Sequence, residues 1–256
     1  WQGYTHAALR IMTGLLFRED AYLTSCEATL TRIRPDGGLV FDQTVFYATS
    51  GGQPGDTGLV RRANGDELRI AATVTGETKE DIVHMPAESR TPPEIGEKVT
   101  LSIDWQRRFN LMRMHTACHI LSVVCPFPIT GASVGEEASR VDLDLPDPAY
   151  TREFVTSEIQ KIVDGAHPVA LRWIEESELD ANPGLVKSKN VRPPRGLGRI
   201  RLVLIGEGGS IDSQPCGGTH VANTRETGLI HISKIEKKGR ENRRFRIRFG
   251  ALPNPA

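Results

Sequence analysis

Over roughly the first hundred residues, apolar and polar positions alternate in short β-branched runs: TSCEATLTRI, GGLVFDQTVFY, GLVRRA, ELRIAATVT and KVTLSID. Turn signals separate them, among them Pro35-Asp36-Gly37-Gly38 and Asn64-Gly65. A period of two broken this often predicts half-buried strands in a compact barrel or half-barrel. The stretch PAESRTPPEIGE reads as a polar, proline-rich connection. After Asp104 the spacing becomes helical and predicts a helix from about Trp105 to Val124, ended by Cys125-Pro126-Phe127-Pro128. A second helix is expected from about Asp147 to Asp164, with Phe154, Ile159, Ile162 and Val163 on one side and a stop at Gly165 and Pro168. The runs VALRWIEES, RIRLVLIG, GLIHISKIEKK and RRFRIRFG then read as strands. The expected class is therefore α+β, with a glycine-rich β-barrel domain over residues 12–104 and an α+β domain over residues 105–256. No internal repeat is visible.

Composition narrows this picture only a little. The 256 residues are 38% hydrophobic and 25% charged, which is ordinary globular material and excludes a disordered chain. Four scattered cysteines do not make a disulfide scaffold, so a reducing cytoplasm is the expected compartment. No stretch approaches the roughly 20 apolar residues of a membrane span, and the first residues lack the apolar core of a signal peptide. The sequence opens without Met, and Met12 is read as close to a native start.

Charge matters more in its distribution than in its sum. Lys and Arg number 32 and Asp and Glu 32, so no global field draws in nucleic acid. Yet Lys187, Lys189, Arg192, Arg195, Arg199 and Arg201 form a run without an acid, and eight basic residues lie between Lys234 and Arg248 against Glu236 and Glu241. These segments are either solvated faces or a phosphate-binding rim.

Two residue pairs carry candidate chemistry. His115 and His119 lie four apart in a predicted helix, one above the other on one face, and can grip one metal ion. Cys216 and His220 are also four apart, in Cys-Gly-Gly-Thr-His, where two glycines free the backbone to bend thiolate and imidazole toward one point. Three nitrogens and one sulfur suit zinc, one ion per chain. The 96 residues between His119 and Cys216 argue against a local zinc finger and for a domain built around the ion. Cys118, Cys26 and Cys125 read as packed thiols. Thr116 stands where a zinc protease helix would carry its glutamate base, so peptide hydrolysis of that type is not expected. The segment from Asp42 to Gly58 runs from a strand into a loop with four glycines in eight residues. It lacks the order of a nucleotide P-loop and by default is a barrel corner.

Taken together, Asp42-Gln43-Thr44-Val45-Phe46-Tyr47, Ser50-Gly51-Gly52-Gln53, Arg113-Met114-His115-Thr116-Ala117-Cys118-His119 and Cys216-Gly217-Gly218-Thr219-His220 resemble the motif series of the alanyl-tRNA synthetase editing domain. They are similar to its freestanding relatives of the AlaX type, in the longer form, from about Leu16 to the C-terminus. The resemblance implies a zinc-containing editing domain of the threonyl/alanyl-tRNA synthetase type. It implies a hydrolase, an aminoacyl-tRNA deacylase, that clears mischarged tRNA(Ala), chiefly Ser-tRNA(Ala) and also Gly-tRNA(Ala), and works in trans. It places His115, His119, Cys216 and His220 on the zinc ligands, Gln53 in the editing pocket and Thr44 at a hydroxyl facing the seryl side chain. Arg113 and Thr219 are further catalytic candidates. The partner it implies is the acceptor end of tRNA(Ala), met by the basic segments 187–201 and 234–248. Two other readings stay open: a tRNA-binding module with a structural zinc, and an editing-fold hydrolase or acyl transferase acting on another aminoacyl ester.

Overall fold

The computed structural model describes residues 13–78, 80–146, 150–190 and 198–253. The chain divides into two compact units, Trp1–Ala48 with Gly55–Asp104, and Thr49–Pro54 with Trp105–Ala256. Met12 and the residues before it lie outside the described residues.

In the first unit, strands β1 (Ser25–Ile33), β2 (Leu39–Phe41), β3 (Gly58–Arg62), β4 (Glu67–Thr75), β5 (Ile82–Pro86) and β6 (Lys98–Ile103) close into a barrel in the order β1-β2-β5-β4-β3-β6. Every pairing is antiparallel, and closure runs through Ser25 opposite Ser102. A register shift between Ile70 and Ala72 changes the inward set of β4 from Leu68 and Ile70 to Thr73. Strand β5 is absent from the sequence expectation. Its five residues bury Ile82, Val83 and His84 in succession and end on Pro86, so no alternation marks them.

The motif residues of the first unit are built into this interior. Phe46 N–H donates to Thr44 Oγ1 at 3.0 Å, and Thr44 Oγ1 meets His84 Nε2 at 2.8 Å. His84 Nδ1 meets the Leu39 carbonyl at 3.1 Å. A carbonyl only accepts, so Nδ1 carries the proton and Nε2 takes the Thr44 hydroxyl proton. The rings of Phe41 and Phe46 flank the imidazole edge-on, each at 5.0 Å. Asp56 is similarly used, accepting Tyr47 N–H at 2.6 Å on its carboxylate.

The second unit stacks helices on a sheet. Strands β7 (Ile129–Ser133), β8 (Ala138–Asp144), β12 (Ile230–Lys237) and β13 (Asn242–Phe249) form an antiparallel sheet in the order β12-β13-β8-β7. Strands β9 (Val169–Glu175), β10 (Arg199–Ile205) and β11 (Asp212–Pro215) form a second, with β10 central. Helix α1 (Trp105–Val124) and helix α2 (Arg152–Asp164) share one core with the first sheet through Leu111, Ile120, Leu121, Val141, Leu143, Val155, Ile159, Phe245 and Ile247. The α2 start differs from expectation. Thr151 is its cap, extended and accepting Phe154 N–H on its side chain, while residues 147–149 lie outside the described residues. Its buried face is Val155, Ile159 and Val163, and Phe154 is half exposed. The barrel and the helix-on-sheet unit make the chain α+β. Among the described residues, no helix is long and apolar enough to cross a membrane.

Candidate metal centre

Helix α1 is buried on every side from Met114 to Ser122, yet this stretch contains His115, Thr116, His119 and Ser122. Polar groups in such a place need partners. The partners come from the segment Asp212–His220 and from the turn Ser50–Gln53, all within the second unit.

The turn is tight. Ser50 and Gln53 exchange backbone hydrogen bonds at 2.9 and 3.1 Å, and Gly51 and Gly52 both have positive φ. That backbone suits glycine, and a Cβ on Gly52 would stand 2.7 Å from the Ala132 carbonyl. Gly52 O in turn accepts Val134 N–H at 2.8 Å, and Gln53 is fully buried.

His115, His119, Cys216 and His220 present one ligand atom each, all within 4.8 Å of one another. Cys216 Sγ stands 3.6 Å from His115 Nε2 and 3.4 Å from His220 Nε2. Tetrahedral zinc, with Zn–S of about 2.3 Å and Zn–N of about 2.0–2.1 Å, requires S···N separations of about 3.5 Å. The donor set and its spacing therefore fit zinc. No ligand here is a hard carboxylate oxygen, which disfavours magnesium and calcium.

Each imidazole is pinned through its other nitrogen. His115 Nδ1 donates to Gln53 Oε1 at 2.8 Å, and the same oxygen accepts Thr219 N–H at 3.1 Å. Gln53 Nε2 donates to Thr219 Oγ1 at 2.8 Å. His119 Nδ1 faces Asp212 Oδ2 at 3.2 Å, and His220 Nδ1 faces Thr116 Oγ1 at 3.1 Å. With Nδ1 so used, Nε2 of each ring is left for a metal. Burial works against the Cys216 thiolate, but its electrostatic interactions with His115 and His220 and its hydrogen bonding to the surrounding imidazoles outweigh it and hold Cys216 well below the usual thiol range. Burial likewise opposes the Asp212 carboxylate, and its bonds with His119 and Lys187 still bring it down to about 2. Cys118, by contrast, is pushed up to about 12 by burial and is an inert packed thiol.

The glycines of Cys216-Gly217-Gly218-Thr219-His220 do not act through a left-handed backbone, since neither has positive φ. Gly218 is needed because a Cβ there would lie 2.2 Å from His115 Cε1. Arg201 holds the turn from behind, its Nη1 donating to Cys216 O at 3.0 Å and Gly218 O at 2.8 Å.

The other candidates divide. Thr219 joins the cluster through Gln53. Arg113 does not: its Nε donates to Thr227 O at 3.0 Å, and its guanidinium lies over the Phe249 ring at 4.0 Å. Thr44 belongs to the barrel unit and is bonded to His84 there. Asp212, Thr116 and Arg201 escaped the sequence reading as parts of this centre. Asp212 had one signal, its position four residues before Cys216.

Of the basic residues expected at a phosphate rim, Arg201 and Arg243 are buried, Lys187 bonds Asp212, and Lys189 bonds Asp144. Arg244 pairs with Asp142 through two bonds of 2.7 and 2.8 Å. Arg192 and Arg195 lie outside the described residues.

Comparison with known proteins agrees along most of the chain. Residues 10–107 match the family described as tRNA synthetases class II (A), and residues 200–246 match the threonyl and alanyl tRNA synthetase second additional domain. The chain is 35% identical over 244 residues to the alanyl-tRNA editing protein AlaX-M of Methanosarcina acetivorans, covering 91% of this chain and 98% of that one. It is 32% identical to the alanyl-tRNA editing protein AlaX-L of Pyrococcus horikoshii, covering 93% of this chain and 58% of that protein. The alanine–tRNA ligase of Pyrobaculum arsenaticum is 36% identical over 237 residues, 87% of this chain and 25% of the ligase. With the metal-ligating quartet in place and nearly the full length of AlaX-M matched, the chain belongs to the alanyl-tRNA editing protein family.

Proposed function

We propose that this chain is an aminoacyl-tRNA deacylase that removes the wrong amino acid from mischarged tRNA(Ala) in trans, with Ser-tRNA(Ala) as chief substrate and Gly-tRNA(Ala) as a second. The observation that carries this reading is the convergence of His115, His119, Cys216 and His220 in a chain matching AlaX-M over 98% of its length.

An aminoacyl ester is activated, so its hydrolysis needs a placed water and a stabilised oxyanion more than a strong acid. His115, His119, Cys216 and His220 would hold a zinc ion, which when bound would supply polarisation of an ester carbonyl and a more acidic water. The protein's own part is orientation. Gln53 has both ends of its amide engaged and acts through His115, keeping that ring in the Nδ1–H tautomer with Nε2 toward the ligand point. Thr219 holds Gln53, and Arg201 fixes the turn through the Cys216 and Gly218 carbonyls. Discrimination against alanine would follow from a buried partner for the seryl hydroxyl, a bond the correct product cannot make. Such sites reject the deficient analogue by about 10⁴. Thr44 is proposed for that contact.

Four protein ligands also characterise closed structural zinc, and this favours a second reading as a tRNA-binding module. Incubation with Ser-, Gly- and Ala-tRNA(Ala), with and without a zinc chelator, separates the two. Chelator-sensitive loss of serine with alanine spared is the expected result. A zinc-loaded protein that binds tRNA and releases no amino acid would overturn the deacylase reading in favour of the second.

A further inference from the structure

We propose that Asp212 and Lys187 are a positioning pair for the metal centre, in which Asp212 fixes the His119 ring and Lys187 fixes the Asp212 carboxylate. The inference rests on the reading of the quartet as a metal site, and it removes Lys187 from the residues expected to meet phosphate.

The Asp212 side chain is completely buried, and both its oxygens are occupied. Oδ2 faces His119 Nδ1 at 3.2 Å and accepts from Gln214 Nε2 at 2.7 Å, while Oδ1 is bonded by Lys187 Nζ. Gln214 also reaches Ser122 Oγ at 3.2 Å, and Ser122 Oγ donates to His119 O at 2.7 Å. The carboxylate is thus held from three directions and tied back to the helix that carries His119. It cannot turn without breaking a buried bond, and the plane of the His119 ring is set with it.

Lys187 is placed by its backbone. Lys187 O accepts Ile129 N–H at 2.9 Å and Lys189 N–H donates to Ile129 O at 2.8 Å, so residues 187–189 lie as a parallel bridge along β7. A buried carboxylate needs a counter-charge, and this lysine is the cation bonded to it. A carboxylate behind a ligating imidazole strengthens the ligand and fixes its direction, typically by 10–100-fold in metal affinity.

The test measures zinc affinity by competition with a chromophoric chelator for wild type, Asp212→Asn, Lys187→Met, Lys187→Arg and the double variant D212N/K187M. Thermal unfolding of each metal-free protein runs alongside. Asp212→Asn is expected to weaken zinc binding by about 10–100-fold. Lys187→Met acts in the same direction, Lys187→Arg restores it, and K187M adds nothing in the D212N background, because the lysine works through the carboxylate. A merely structural role would lower metal-free stability without that non-additivity. The salt dependence of tRNA(Ala) binding should be unchanged in K187M.

Equal zinc affinity in wild type, Asp212→Asn and Lys187→Met would overturn the pair. So would a K187M variant with a shallower salt slope and intact zinc affinity, which would return Lys187 to phosphate contact. Should Asp212→Asn fail to fold, the Lys187→Met and Lys187→Arg comparison decides alone. A wild-type protein that takes up no zinc would instead sink the metal reading itself.

Discussion

His84 should make the barrel sensitive to acid, and the size of the effect follows from its surroundings. The ring is fully buried, and burial pushes its pKa down from 6.5 to about 4. Its neighbours suit the neutral form. Leu39 O takes the Nδ1 proton, and Nε2 must accept from Thr44 Oγ1, whose other contact is an accepted bond from Phe46 N–H. A second ring proton would point at that hydroxyl. Above pH 6.5 the imidazole is neutral folded and unfolded, so it contributes no pH dependence. As pH falls from 6.5 toward 4, the unfolded chain gains a proton that the folded barrel refuses, and stability is lost. A shift of about 2.5 units corresponds to a loss of about 3 kcal/mol, complete below pH 4. Urea unfolding of wild type and His84→Gln, followed by amide signals of the barrel strands between about pH 7 and pH 4, isolates this contribution, because the carboxylates are common to both. The wild-type curve should fall more steeply by that amount. Parallel curves, or a His84 ring that titrates near 6.5 by NMR, would refute the reasoning.

Three further outcomes concern the site. Gln53→Leu removes the acceptor of both His115 Nδ1–H and Thr219 N–H, and zinc affinity measured by chelator competition should fall about 10–100-fold; unchanged affinity would reduce Gln53 to a loop anchor. Gly218→Ala would push a methyl group to 2.2 Å from His115 Cε1 and should lose zinc. Gly217→Ala, with open space around it, should keep full stoichiometry in metal analysis. Thr44→Val strands the Phe46 N–H and the His84 acceptor at about 1–3 kcal/mol each, whereas Thr44→Ser keeps both bonds. A folded Thr44→Val protein that clears Ser-tRNA(Ala) at the wild-type rate would remove Thr44 from substrate selection.

What could be read from sequence was whatever repeats locally. Strand alternation in GLVRRA and ELRIAATVT, and the Trp105–Val124 helix closed by two prolines, need only neighbours to be recognised. The metal quartet was legible because its spacing is local within each half. Its support was not, because the Asp212, Thr116 and Gln53 contacts span 62 to 104 residues of sequence. The Ile82–Pro86 strand hid because it is buried without alternation. The role of Gly218 also escaped notice, since a missing Cβ means something only once the His115 ring is known to occupy its place.

Charge runs were the least legible feature, and strand geometry shows why. Along β13 the side chains of Arg243, Phe245 and Ile247 face inward, while those of Arg244 and Arg246 face the other way. Arg243 therefore spends its guanidinium on the carbonyls of Gly239, Asn242 and Pro146, a structural task that composition cannot reveal. Arg201 is buried behind the Cys216 turn in the same manner. Lys237, Arg240 and Arg248, by contrast, are exposed. Neutralising these three to Gln should weaken tRNA(Ala) binding and flatten its salt dependence by about 0.7–0.9 for each residue that meets a phosphate, as read from log Kd against log salt. Arg201→Gln should leave that slope intact and instead disturb zinc binding. If the triple variant kept the full slope while Arg201→Gln flattened it, the division of these cations into built-in and free would be wrong, because a guanidinium committed to two buried carbonyls has no counterion to release.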